Sequence, residues 1–134
     1  MPSNPLRSTR KLSIIASALE PGGTTVTLVS VSITGPDADT LAAITRDLVG
    51  AQLVACGNII PAIRSIYRWQ GRLEDVAEAC VLLHTQAQHV PAIMERVNAE
   101  HPYETVQILA TEITNADPAY RQWVVDETTP SSPK

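Results

Sequence analysis

Along this chain the spacing of hydrophobic and polar positions changes several times, and each change marks an element. Residues Thr24–Thr34, T-T-V-T-L-V-S-V-S-I-T, alternate with period two. Val29, Val31 and Ile33 fall on one face, Ser30 and Ser32 on the other, which predicts a half-buried strand. Gly35-Pro36-Asp37 breaks that strand and opens a helix, with acids at the positive end of its dipole. Leu41, Ile44 and Leu48 then recur at helical spacing as one apolar stripe, and Gly50 offers a stop. The stretch Leu53–Gln70 is β-type but contains Pro61, which has no N–H to give a sheet ladder. It predicts a bent strand, Val54–Ile60 and Ile63–Gln70, with a bulge or a sheet edge at the proline. Gly71 turns the chain into Val76–Thr85. The apolar run around Cys80–Leu83 is nearly continuous, as in a strand covered on both faces. Gln88–Glu100 carries a second helical stripe, Val90, Ile93, Met94 and Val97, and His101-Pro102 ends it. Thr105–Thr114 reads as the last strand. Residues 117–127 predict a short helix packed through Tyr120, Trp123 and Val124.

The order β-α-β-β-α-β places the chain in the α+β class. It predicts an antiparallel four-stranded sheet with two helices on one face, the ferredoxin-like sandwich, extended by a long bent hairpin and a short carboxy-terminal helix. Half of the 10 prolines lie in the two ends, so the domain is placed at 24–128. Residues 1–23 are expected to form a flexible tail and residues 129–134 a disordered one. Ala16-Ser17-Ala18 has the form of a signal-peptidase site, but the apolar run before it is short and broken by Ser13.

Composition narrows the function classes. The chain has 134 residues, 44% of them hydrophobic and none Phe, so an aliphatic core closes without disulfides. The segment 24–128 holds six Arg, no Lys and thirteen acids. That acidic body argues against nonspecific nucleic-acid binding. An RNA-recognition module would need aromatics on its central strands, and none occurs in V-T-L-V-S-V-S-I or A-E-A-C-V-L-L-H. An acylphosphatase-like enzyme would need a glycine-rich phosphate cradle with an arginine after the first strand; Thr34-Gly35-Pro36-Asp37 has none. Walker A and dinucleotide glycine patterns are absent. No apolar run approaches a membrane span. Cys56 and Cys80, without C-x-x-C spacing, fit a reduced, cytoplasmic setting.

Three groups of residues carry candidate chemistry. Tyr67 and Trp69, two positions apart, share one face of an extended strand. Cys56, near the bend and beside Asn58, reads either as a small buried hydrophobe or as a soft-metal ligand such as for copper. Cys80, inside an apolar run, reads as core. His101-Pro102-Tyr103-Glu104 brings an imidazole, a phenol and a carboxylate to a helix–strand joint. It reads either as a structural stop or as a ligand or metal patch. His84 and His89 read as surface residues. No Ser-His-Asp order or H-E-x-x-H helix is present.

Taken together, A-C-G-N-I-I-P, S-I-Y-R-W-Q-G-R-L, L-L-H-T, H-P-Y-E and D-P-A-Y-R-Q-W resemble the CutA family of divalent-cation tolerance proteins. The resemblance runs from about Val29 to Val125. It implies a homotrimer, similar in shape to PII-type signalling proteins, whose long hairpins reach over neighbouring subunits. It implies that Cys56 matches a cysteine proposed to bind copper, and that Tyr67, Trp69, His101, Tyr103 and Glu104 line an intersubunit cleft. Metal is expected at Cys56, His101 and Glu104, and a ligand at Asn58, Tyr67, Trp69, His84 and Tyr103. The cofactor is copper or another divalent cation, and none is needed for folding. Departures are informative: His84 stands where the family often has lysine, and Thr105-Val106-Gln107 replaces the usual x-P-E. Binding without turnover is the expected function. The alternatives are a PII-like signalling or scaffold trimer and an enzyme using His101 and Glu104.

Overall fold

The computed structural model describes residues 26–130. The expected tail 1–23, residues 24–25 of the first strand and residues 131–134 lie outside the described residues. The elements run β1 (Leu28–Gly35), α1 (Ala38–Gly50), β2 (Cys56–Trp69), β3 (Arg72–Gln86), a 3-10 turn at Ala87–His89, α2 (Val90–Glu100), β4 (Ile108–Glu112) and α3 (Pro118–Glu127). The strands form one antiparallel sheet in the order β2-β3-β1-β4. This is the mixed α+β, ferredoxin-like architecture that the hydrophobic pattern predicts.

Local chemistry explains most boundaries. Asp37 caps α1, its Oδ1 accepting the Thr40 N–H at 2.7 Å. Gly50 is the last helical residue, and the chain leaves through Gln52 in the left-handed region at φ 59°. Gln70 and Gly71 have φ of 50° and 79°, the signs of a two-residue type I′ hairpin turn. Asp117 caps α3 by accepting the Ala119 and Tyr120 N–H groups. The last strand is shorter than predicted, Ile108–Glu112 rather than Thr105–Thr114. Residues 102–107 instead form an irregular connection from α2.

Pro61 sits where its missing N–H is tolerated. Ile60 pairs with Cys80 and Ile63 with Glu78, so two residues of β2 bulge opposite Ala79. β2 is also a sheet edge, so both predicted solutions apply at once.

Strand alternation divides the molecule. Val29, Val31, Ile33, Ala79, Val81 and Leu83 meet Leu41, Ile44, Leu48, Ile93 and Val97 in the main core. Met94, predicted in that stripe, is 37% exposed. A Cβ on Gly57 would lie 2.6 Å from a Thr45 methyl and 2.9 Å from Leu83, so the close approach of α1 to β2 requires glycine there. On the opposite face α3 covers only one end of the sheet, packing Val124, Tyr120 and Trp123 against Leu28 and Ala55. Gln86 fixes that end, donating to Thr128 Oγ1 at 2.8 Å. The rest of this second face is open within one chain. Cys80 lies there, half-buried, and not in the core as its apolar neighbours suggest. Ala79 and Val81 take the core side, and alternation sends Cys80 the other way.

Leu48 is fully buried, so Leu48→Ala is expected to lower stability by about 3 kcal/mol. Met94→Ala should change it by less than about 1 kcal/mol. Urea unfolding of both variants checks the assignment, and equal losses would contradict it.

Candidate functional site

The six helix-side positions of β1 and β3 leave the alternate residues for chemistry, and these gather in two places. The first is an open cleft that runs along the β2–β3 arm. Cross-strand pairing puts Ser65, Tyr67 and Trp69 on the same face as Val76, Glu74 and Arg72. Residues 102–107 form the facing wall. The cleft has a volume of about 710 Å³ and is lined by Tyr67, Trp69, Glu78, Tyr103 and Glu104 among others. Four predicted cleft or metal residues are thus brought together.

His101 holds this wall in place. Its Nε2–H donates to the Thr34 carbonyl at 2.8 Å, and its Nδ1 accepts the Tyr103 N–H at 3.1 Å. Both ring nitrogens are used, and the residue is buried. This arrangement orients the Tyr103 phenol, which donates to Glu78 Oε2 at 2.7 Å. Burial, and then the Glu78 carboxylate, push the Tyr103 phenol well above its ordinary range; Tyr67 and Asp37 add to the shift. Glu104 is exposed at the rim.

The second place lies at the other end of the sheet, under α3. Cys56 is opposite His84 in the β2–β3 ladder. The Cys56 Sγ lies 3.5 Å from His84 Nδ1 and 3.1 Å from the Tyr120 hydroxyl, which is 2.7 Å from the same nitrogen. Thiol, imidazole and phenol therefore form a small triangle, with the two rings edge to face. Burial lowers the His84 pKa, favouring its neutral form. Tyr120 is pushed up by burial and by its bond to Cys56.

The two places are separate. Cys56 faces His84, while Thr34, the partner of His101, faces Cys80. Cys80 and His84 are four positions apart on β3, about 13 Å at strand spacing. Cys56 is thus apart from His101 and Glu104, and His84 is apart from Tyr67 and Trp69. Asn58 is exposed on the edge strand between them. Among the described residues no three His, Cys, Asp or Glu side chains converge on a possible metal position.

A family profile described as "CutA1 divalent ion tolerance protein" matches residues 29–127. The chain belongs to this family. Protein CutA of Mus musculus is 38% identical over 92 residues, covering 69% of this chain and 52% of the relative. The chain therefore spans about half the length of that curated relative. The divalent-cation tolerance protein CutA of Escherichia coli is 32% identical over 106 residues, 79% of this chain and 95% of its own. Among solved structures, the divalent cation tolerance protein of Thermus thermophilus superposes with TM-score 0.73 at 37% identity, covering 75% of this chain and 98% of that one. CutA1 from Oryza sativa gives 0.75 at 28% identity.

Two residues of this CutA chain's sites were missed by sequence reasoning. Glu78 had a signal: it is the one acid inside V-A-E-A-C-V-L-L, on the same strand face as Cys80 and His84. Tyr120 had none, because only packing of α3 over the sheet brings it to Cys56.

Tyr103→Phe is expected to cost about 1 kcal/mol at neutral pH through loss of the Glu78 hydrogen bond. The folded phenol's raised pKa makes the stability it contributes complete below the unfolded value and lost as pH rises through and above about 10. Urea midpoints at neutral pH and near the phenol range check this: the alkaline fall should be shallower in the variant, the remainder belonging to Tyr120. An unchanged profile would contradict it.

Proposed function

We propose that this CutA chain is a binding protein that assembles as a homotrimer, with clefts between subunits that take up a divalent metal ion or a small ligand. The observation that carries this reading is the bare arm. Ile66 is 60% exposed, Leu73 77%, Tyr67 42% and Trp69 40%, all near the hairpin tip. Such a cluster on one projecting element marks an association surface. The open sheet face, with Cys80 and Leu82 half-buried and Leu109 exposed, offers a second apolar surface for copies to cover. The family description and the name of the E. coli relative support a connection to divalent cations.

For a soft or borderline ion such as copper, Cys56 is the proposed ligand, with His84 and Tyr120 beside it. A thiolate, an imidazole and a phenol oxygen within 3.5 Å of one another are a donor set that fits such an ion. Glu104 suits a harder cation at the cleft rim. His101 fits the role of positioning the Tyr103 wall, because neither ring nitrogen has a lone pair to spare. The same occupancy leaves it unsuited to the acid–base work that a catalytic reading would ask of it. The free thiols of Cys56 and Cys80 support a cytoplasmic location.

Light scattering should give three times the 14.4 kDa chain mass. Ile66→Asp with Leu73→Asp should dissociate the assembly, since each buried apolar side chain contributes roughly 2 kcal/mol. A monomeric wild type would end the trimer reading. Calorimetric titration with copper should show affinity falling by about tenfold or more in Cys56→Ala; equal affinity would remove the cysteine site.

A further inference from the structure

The cleft beside Tyr103 contains a carboxylate that its own surroundings leave incomplete. Glu78 is 8% exposed. One of its oxygens, Oε2, accepts the Tyr103 hydroxyl. Its other oxygen, Oε1, makes no hydrogen bond among the described residues, yet Glu78 lines the cleft. Oε1 is thus an unfilled acceptor open to the cleft, and a positive donor there would complete it. No Lys, Arg or His lines the cleft, whereas Glu104 adds a second carboxylate. Arg72, opposite Trp69, belongs to the arm tip outside that lining, and Arg64 is already paired with Asp75 at 2.7 Å.

The remaining lining is neutral, with two aromatic rings among aliphatic and hydroxyl side chains. Tyr67 and Trp69 both line the cleft and are about two-fifths exposed. Their ring faces attract cations as well as apolar surface. The volume, about 710 Å³, lies in the range of small-molecule sites and far exceeds what one metal ion occupies.

We propose that the cleft is a site for an organic cation, its ammonium or guanidinium group held by Glu78 and Glu104 and its apolar body against Tyr67 and Trp69. This rests on the cleft-binding function proposed above and names the chemistry of the occupant. An anion would meet two carboxylates. A divalent metal at the Glu104 rim would leave the aromatic walls unused, and the Tyr103 hydroxyl is already committed to Glu78. The raised phenol of Tyr103, which senses Glu78 and Asp37, agrees with a negative field in the cleft.

The test titrates the full chain with phenethylamine, phenethyl alcohol, phenylacetate and zinc chloride, by calorimetry and tryptophan fluorescence. The amine should bind, and the neutral alcohol should bind roughly tenfold more weakly or not at all. Glu78→Gln, whose amide oxygen can still accept from Tyr103, should weaken the amine by about tenfold. Glu104→Gln, at an exposed position with no fold to disturb, should weaken it by roughly threefold. The proposal is overturned if the amine does not bind, if alcohol or phenylacetate binds equally well, if zinc alone binds, or if both variants keep full affinity. Light scattering on the same samples separates the two ideas. A monomer that binds the amine keeps this inference and removes the trimer; a trimer that ignores the amine does the reverse.

Discussion

The β2–β3 hairpin is longer than anything available to cover it, and much of the molecule follows from that mismatch. β3 has 15 residues, about 50 Å at strand rise. α1 has 13 residues and α2 has 11, about 20 and 16 Å at helical rise. The helices therefore bury only the half of the hairpin that lies against β1. Beyond the bulge at Pro61 neither helix covers the two strands, and residues 102–107 approach one face only in part. Ile66 and Leu73 are exposed for this reason alone. A two-stranded ribbon with an apolar surface is a poor end state in water, and this supports the association proposed above.

The bulge has a second consequence. It inserts one residue into the alternation of β2, so that Ile60 and Ile63 both face the side opposite the helices. Without it, Tyr67 and Trp69 would pair out of phase with Glu74 and Arg72. The aromatic pair would then turn away from residues 102–107. One proline thus links the edge of the sheet to the shape of the cleft. His101 performs the matching task from the other side, tying the end of α2 to the end of β1 through Thr34. The cleft is held by a bulge on one wall and a buried imidazole on the other.

These two devices make the cleft and the Cys56 triangle chemically different. The triangle is closed by helix packing and offers sulfur, nitrogen and oxygen donors at short range. The cleft is open, negative and aromatic, and offers charge with π surface. On the readings proposed above, a soft ion would sit in one place and an organic molecule in the other.

Periodicity alone determined a good part of this. The alternation of Val29, Val31 and Ile33, the stripe of Leu41, Ile44 and Leu48, the break at Pro61 and the turn at Gly71 are local signals. They depend on side-chain spacing and backbone chemistry, so no distant contact was needed to read them. The motifs around Tyr67, Trp69 and H-P-Y-E pointed to the family and supplied residues to both walls of the cleft. Tertiary structure decided what those signals could not carry. Cys80 faces the open side because its strand register, not its apolar neighbours, sets its direction. His101 became a strut because Thr34 and Tyr103, from distant and adjacent backbone, claimed both its nitrogens. Tyr120 joined Cys56, and Glu78 joined Tyr103, across 64 and 25 residues of chain. Contacts at that separation depend on how the helices and the 102–107 connection settle on the sheet, and no local pattern encodes that.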